Sequence, residues 1–478
     1  MLCAVTLAKV RSRPIKQAAI LIVSYALYLT WGASFAAVLI ASTVMNYLLG
    51  EWTRRKHSGI TLSIGIALNL ALLSAFKYLP EATALLPFSS LQRFAHIALP
   101  LGISFWTFQA MSYLFDVYQG DDVEPSFFEF ALYMVFFPVT ISGPICRMSE
   151  MLPQFRAESV TPRDDIARGC RRIATGVLMM QLAKLLGQGI LAGDGIASGF
   201  DRAANWSGPD VWCLAFGFGL QLFFDFAGYS HIAIGAAQAL GFTIPENFAR
   251  PFESTSPSIF WTRWHMSLSF WIRDYVFFPL MRLRREAWWR NLALVFSMVL
   301  FGLWHGATFL FLFWGCYHGM LLLLHRQTEQ LRWRSSWVPP TLLWAPFSWL
   351  ATAALISLGW ILFRAKTLPQ AVHMFAAIAS PTSYRSHLLS GSLYLLVLLV
   401  AAGYATVLTA IELMNKVLDP ALVQGGVEPL HSRSGFLAVA ARNRWYWIPP
   451  LYALALLVVL IVTHTQGAVA SQFMYRRF

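Results

Sequence analysis

Two histidines lie inside FGLWHGATFLFLFWGCYHG, Phe301 to Gly319, a run of apolar and aromatic residues long enough to sit within a bilayer. Ionisable groups at membrane depth are rare and face a protein interior or a water-filled path, so a histidine there is a functional-site hypothesis by default. Imidazole is the side chain that titrates near neutrality, and the chemistry it offers is proton transfer. His305 and His318 are thirteen residues apart, which leaves them about 220° apart on one unbroken helix. They can face one substrate only if Gly306 or Gly315 breaks that helix; otherwise one is catalytic and the other structural.

Three more polar patches interrupt apolar surroundings. In FWTRWHMSLSFWIRDYVFFPL, Phe260 to Leu280, a single helix would place Arg263, Ser267, Phe270 and Asp274 on one face. His265 would project with Trp261, Ser269 and Ile272 on another. An amphipathic helix at the interface accounts for the tryptophans and for Arg263 and Arg273, but not for a histidine between Trp264 and Met266. In LQLFFDFAGYSHIAIG, Leu220 to Gly235, Asp225 and Tyr229 are four apart and share a helix face, as a structural clamp more readily than as a catalytic pair. In FPVTISGPICRMSEMLPQF, Phe137 to Phe155, the Gly143-Pro144 pair forces a break with Arg147 and Glu150 just beyond it, which suits a turn at the membrane face as well as a site.

His265, His305 and His318 have no HExxH or CxxC context, so no metal site is expected, and no glycine-rich phosphate loop is present. Cys3, Cys146, Cys170, Cys213 and Cys316 are scattered without disulfide or metal spacing and read as small buried side chains.

The elements that must position these residues are membrane helices. Of 478 residues 57% are hydrophobic and only 12% are charged, too few for a soluble domain of this size. Apolar runs of about twenty residues between short charged loops match the hydrocarbon thickness. Without water to satisfy the backbone, helices or closed barrels are the spanning options, and the alternation of a barrel is missing. The fold class is therefore all-α and polytopic. The net charge of +13 sits in loops beside apolar segments, where cytoplasmic retention and anionic headgroups explain it, and no nucleic-acid partner is expected.

Lys9, Arg11, Arg13 and Lys16 precede the first apolar run without a cleavage site, so that helix is expected to stay as an anchor. Spans are expected near 17–32, 33–50, 59–78, 98–118, 126–146, 172–195, 209–240, 257–280, 291–303, 306–325, 341–363, 391–415 and 446–466, some too short or too interrupted to cross. PLGISF at 100–105 and FPVTISGPI at 137–145 read as re-entrant or buried pieces lining a cavity. The N-terminus and the EWTRRKHSG loop are both basic and fall in the cytoplasm by the positive-inside rule. If the basic loop Arg433 to Arg444 is also cytoplasmic, the run at 446–466 carries the tail QFMYRRF to the external side. No repeat and no soluble domain is apparent, so residues 1–478 read as one membrane domain.

The same patches, in order, resemble the membrane-bound O-acyltransferase family, in the bacterial branch containing the alginate O-acetylation membrane protein and the teichoic acid D-alanyl transfer protein. The strings are PLGISFWTFQAMSYLFDVYQG at 100–120, FPVTISGPICRMSEMLPQF, LQLFFDFAGYSHIAIGAAQALGFTIPENFARPF at 220–252, FWTRWHMSLSFWIRDYVFFPL and GLWHGATFLFLFWGCYHG. They cover a core of about 100–325, between N-terminal helices at 1–99 and C-terminal helices and tail at 326–478. His231 departs from the family, standing where relatives commonly have aspartate.

The resemblance implies a ring of about 10–12 transmembrane helices with re-entrant segments and a central tunnel. The reaction it implies is acyl transfer from a cytoplasmic thioester, acetyl-CoA or an acyl carrier protein, with no bound cofactor. The histidine of GLWHG carries over to His305 as the essential group, and His265 as an assisting one. Trp304, His318, Asp225, Tyr229, Arg273 and Asp274 become tunnel- or substrate-lining residues. The ending FMYRRF is similar to an aromatic C-terminal motif of this branch, which makes Tyr475 either an acyl relay or an interfacial anchor.

The expected protein is thus a multi-pass enzyme of the bacterial inner membrane, among membrane lipids, that exports an acetyl group for an extracellular polysaccharide or envelope glycan. A separate periplasmic SGNH-type acetyltransferase would complete the transfer. Direct acylation of a lipid or lipid-linked sugar is the alternative, and a proton-coupled transporter using the buried histidines is the competing class.

Overall fold

A computed structural model describes residues 12–84, 98–158, 160–190, 193–202, 206–335 and 341–418. In chain order the α-helices are α1 (Arg13–Leu29), α2 (Ala33–Lys56), α3 (Gly59–Ala84), α4 (Ile103–Gln119), α5 (Phe127–Val135), α6 (Met148–Arg156), α7 (Arg163–Gln188), α8 (Ile196–Asp201) and α9 (Gly208–Ala239). They continue with α10 (Pro257–Trp261), α11 (Met266–Ile272), α12 (Phe278–Leu283), α13 (Ala287–His305), α14 (Phe309–Ser335), α15 (Thr341–Arg364), α16 (Leu368–Ala379) and α17 (Gly391–Leu418).

Among the described residues, seven helices are long and apolar enough to cross a membrane: α2, α3, α9, α13, α14, α15 and α17. The protein is an all-α, polytopic membrane protein. The segments expected near 98–118, 126–146 and 257–280 do not become full spans. They form the shorter α4 and α5 and the broken series α10 to α12. The short helix α16 was not anticipated, and the expected span at 446–466 lies outside the described residues.

Two compact units divide the chain. Among the described residues, one comprises the chain up to Gly176 with Tyr229–Leu368 and holds His265, His305 and His318; the other comprises Val177–Gly228 with residues 369–418. In the first, Trp106, Tyr113, Phe130, Phe136 and Phe155 are completely buried. Asn46 of α2 and Asn69 of α3 exchange amide hydrogen bonds of 3.1 and 2.6 Å, the polar pairing that ties helices together where lipid offers no hydrophobic drive. Helix α5 starts in a capping box: Ser126 Oγ accepts from the Glu129 amide, and Glu129 accepts from the Ser126 amide. In the second unit, buried Asp210 accepts hydrogen bonds from Ser207, from the Leu388 and Leu389 amides and from Tyr394, pinning the start of α9 to the entry of α17.

Of the two segments expected to be re-entrant, 137–145 is irregular and 100–105 is a short turn leading into α4, and both are mostly buried. Trp31, Phe35, Pro100 to Phe105, Ile141 and Ser142 line a cavity of about 170 Å³. Gly102 caps α4 with φ +74°, and a Cβ there would lie 2.0 Å from the Thr140 carbonyl oxygen, so glycine is required both for the turn and for the approach of the two segments.

Candidate active site

Helices α13 and α14 form an antiparallel hairpin whose close approach depends on glycine. A Cβ on Gly302 would meet the Phe311 carbonyl oxygen at 2.2 Å, and one on Gly315 the Met298 carbonyl oxygen at 2.5 Å. Gly315 and Gly319 are four apart on α14 and present the smooth face that lets membrane helices pack at backbone distance. Gly315 therefore does not break its helix. The break falls at Gly306, where the backbone is extended (φ 177°) and α13 stops on His305. Folding back at this point brings His305 and His318 to the same aromatic cluster, the condition under which both can serve one site.

His305 is 5% exposed. Its ring stacks on Phe301 at 5.7 Å and on Phe311 at 5.8 Å, and meets Trp304, Trp314 and Phe363 edge-on at 4.7, 5.4 and 4.8 Å. Trp314 is shared: its centroid lies 4.7 Å from that of His318. His318 is fully buried and also contacts Trp261 at 5.2 Å. On the other side, the Trp304 indole lies 6.0 Å from the ring of His265. The structure thus brings together His265, Trp304, His305 and His318, with Trp304 between the first and third.

His265 is not on the single helix expected over 260–280. Helix α10 ends at Trp261, and His265 stands at the N-cap of α11 with φ +43°, a left-handed conformation that costs a non-glycine residue on the order of 1 kcal/mol or more. Both flanks hold it there. Phe248 bridges to Trp264, the Met266 amide donates to the Asn247 carbonyl at 2.9 Å, and Ser267 Oγ donates to Asn247 Oδ1 at 2.6 Å. Asn247 is locked in turn by donating to Ser230 Oγ at 3.0 Å. The common face for Arg263, Ser267, Phe270 and Asp274 is lost with the helix, because the chain turns at 262–265 and widens to a π turn over Arg273–Phe277.

Arg273 and Asp274 belong to an ion-pair network rather than to the aromatic cluster. Asp274 accepts from Arg147 and from Arg273 Nε at 2.7 Å, and these two guanidinium groups outweigh partial burial to hold its carboxyl below the usual carboxylate range. Arg147 also lies over the Tyr275 ring, and the Tyr275 hydroxyl donates to Asp116 at 2.6 Å. Asp225 and Tyr229 sit one turn apart on α9, Asp225 buried. His231 accepts from Arg172 Nε at 3.3 Å, and Arg172 pairs with Glu246, so this histidine is held in a polar chain of its own. Tyr475 lies outside the described residues. Of the cysteines, Cys146 and Cys213 are buried and Cys170 and Cys316 half-buried, all four unbridged. Among the described residues no group of histidine, cysteine and carboxylate side chains is arranged to hold a metal ion.

Sequence reasoning missed Lys77. This α3 residue is 6% exposed, donates from Nζ to the Trp304 carbonyl oxygen, and lies 5.1 Å from the centre of the Trp304 ring. The signal was present, a single lysine in the apolar run LLSAFKYL.

Chemically, the arrangement is an imidazole enclosed by aromatic faces, a side chain that can accept or donate a proton. The indole nitrogens of Trp261, Trp304 and Trp314 are buried and find no hydrogen-bond acceptor among the described residues, leaving donors available to a polar guest.

The model for the membrane-bound O-acyltransferase family matches residues 84–363. The chain is 34% identical over 382 residues to the probable alginate O-acetylase AlgI of Pseudomonas putida, covering 76% of this chain and 74% of that protein. It is 31% identical to the peptidoglycan O-acetyltransferase of Helicobacter pylori, over 72% of this chain and 70% of that protein. To the teichoic acid D-alanyltransferase of Streptococcus thermophilus it is 33% identical over 237 residues, 47% of this chain and 56% of that protein.

Proposed function

This chain belongs to the membrane-bound O-acyltransferase family, and from that premise we propose that it moves an acetyl group from a cytoplasmic thioester across the bacterial inner membrane for O-acetylation of an extracellular polysaccharide or envelope glycan. It is an acyltransferase. The observation that carries the reading is His305, ending α13 inside an aromatic enclosure with His265 across the Trp304 ring.

In the step proposed, His305 accepts the proton of an acceptor hydroxyl as its oxygen attacks the acetyl carbonyl carbon. A C–O bond forms, the C–S bond breaks, and the departing thiolate takes the proton from the imidazolium. Nothing is oxidised, and no metal is required by this balance. A positioned general base contributes on the order of 10²- to 10⁴-fold in rate. His265, fixed in its left-handed conformation, assists from the far side of Trp304, and the unpaired indole N–H groups suit the polar atoms of a thioester or hydroxyl.

The donor proposed is acetyl-CoA, with an acyl carrier protein as the other form of the same thioester. The acceptor is either Tyr475, as a relay, or the substrate hydroxyl itself. A separate periplasmic SGNH-type protein would deliver the group to the glycan. The names of the relatives from Pseudomonas putida and Helicobacter pylori support acetyl as the group and an envelope polysaccharide as its destination.

The test is incubation of purified protein with acetyl-CoA labelled on the acetyl group, comparing wild type with His305→Ala and Tyr475→Phe. Cleavage lost in His305→Ala supports the base, and label lost from the chain only in Tyr475→Phe supports the relay. Cleavage that survives in His305→Ala overturns the assignment.

A further inference from the structure

We propose that Lys77 positions the catalytic end of α13, holding His305 and Trp304 in their working geometry from a helix that precedes the family-matched region. The match begins at residue 84, whereas Lys77 and its neighbour Tyr78 lie in the preceding turns of α3.

The argument starts from the end of a helix. The last carbonyls of an α-helix have no intrahelical donor and carry the negative end of its dipole. Helix α13 ends on His305, because Gly306 is extended, so the residue proposed as the base stands where a helix frays most readily. Two consecutive side chains of α3 meet that end. Lys77 Nζ donates to the Trp304 carbonyl oxygen, and the Tyr78 hydroxyl donates to the Leu303 carbonyl oxygen at 3.1 Å. The lysine also lies 5.1 Å from the Trp304 ring centre, so one ammonium group fixes both the backbone and the indole of the residue before His305.

Burying an ammonium within a membrane helix is costly, and a structural link between two helices does not need a charge to make it. A cation is the group that best satisfies several orphan carbonyls at a helix C-terminus. Trp304 touches His305 at 4.7 Å and His265 at 6.0 Å, so a displaced Trp304 disturbs both imidazoles. Lys77 does not touch the reacting atoms in this scheme; it acts through α13.

The inference rests on the reading of His305 as the base, and the experiment separates the two. Lys77→Met, Lys77→Arg and Tyr78→Phe are compared with wild type and His305→Ala for kcat and KM on acetyl-CoA. Thermal unfolding in detergent is followed in parallel, with hydrogen exchange of the peptide spanning Gly302 to Thr308. Lys77→Met is expected to lower kcat roughly 10- to 100-fold, the scale of a misplaced catalytic group. KM should stay near wild type, and the Gly302 to Thr308 peptide should exchange faster. Lys77→Arg, which keeps a cationic donor, should recover most of the kcat and the slow exchange, while Tyr78→Phe should show a smaller loss. A folded Lys77→Met with wild-type kcat and exchange overturns the proposal, as does a kcat loss that Lys77→Arg leaves unrescued while exchange is unchanged. If wild type leaves acetyl-CoA intact, the functional reading fails, and exchange in Lys77→Met still decides whether the lysine holds the helix end.

Discussion

Replacing Gly359 with alanine adds one methyl group at a point where the aromatic cluster around His318 has no slack. Gly359 lies on α15, facing α14, and an alanine Cβ would stand 2.5 Å from His318 Nε2 and 3.0 Å from its Cε1. An ordinary contact needs about 3.4 Å or more, so the imidazole must move by roughly 0.9 Å or the helices must part. His318 is fully buried, with Trp261 at 5.2 Å, Trp314 at 4.7 Å and Tyr317 at 5.2 Å. Tyr317 also ties α14 to α15 by donating to the Leu355 carbonyl at 2.8 Å, which resists their separation. Overpacking of this kind costs typically about 1–3 kcal/mol. The displacement passes from His318 to Trp314 and so to His305, 5.4 Å from Trp314, where a misplacement near 1 Å costs on the order of 10²-fold in rate. Gly359→Ala should therefore fold, unfold at a lower temperature, and cleave acetyl-CoA far more slowly than wild type. The second arm is Gly359→Ala combined with His318→Ala, which removes the atom that is struck. Its stability should be higher than the sum of the two single losses predicts, because the neighbours are coupled. The reasoning is refuted if Gly359→Ala keeps wild-type turnover and stability, or if the two losses simply add.

Gly302→Ala strikes backbone instead of a side chain, with its Cβ 2.2 Å from the Phe311 carbonyl oxygen, and should separate the α13–α14 hairpin. Expression of folded protein, read by size-exclusion chromatography in detergent, is expected to collapse, unlike that of Gly359→Ala. His265→Ala should lose activity without relieving backbone strain, since alanine keeps the Cβ, and His265→Asn, better suited to the left-handed conformation, should be the more stable of the two by thermal unfolding. Glu129 accepts from Arg13 at 2.8 Å, from Arg156 at 3.0 Å and from Ser126 at 2.9 Å. Burial pushes its carboxyl upward, but Arg156 and Ser126 prevail and hold it at about 2, against an ordinary value of 4.5. A carboxyl lowered on folding stabilises fully above its ordinary value and loses that stabilisation as pH falls toward its folded one. The thermal-midpoint difference between wild type and Glu129→Gln should thus be largest near neutrality and shrink below about pH 4.5.

What the sequence disclosed was set by period and composition. Long apolar runs such as 391–415 and 209–240 became α17 and α9, because hydropathy over a bilayer's width needs no knowledge of neighbours. The Gly143-Pro144 break and the PLGISF segment were legible for a local reason, since glycine and proline punctuate any backbone. The WTRWH segment was not legible. Its residues keep a helical period, yet the helix is broken by contacts from far along the chain: Phe248 bridging to Trp264 and Asn247 taking the Met266 amide. Only tertiary packing places His265 in a left-handed turn, and periodicity carries no trace of it. The same distinction separates the two glycines considered as breaks. Gly306 ends a helix, whereas Gly315 serves the packing of two, and the two roles are indistinguishable until the partner helix is in place. Of the two, only Gly306 changes the direction of the chain, and that change lets one aromatic cluster receive both His305, from the end of α13, and His318, from the middle of α14. His318 is gripped on three sides by aromatic rings and blocked on a fourth by Gly359, whereas His305 stands on the last residue of a helix with a broken backbone after it. Five aromatic rings surround His305 and three surround His318, so burial does not rank two histidines that the linear pattern could not rank either; their difference is position, one at a helix end beside the Lys77 contact to Trp304 and the other in the middle of a helix against Gly359.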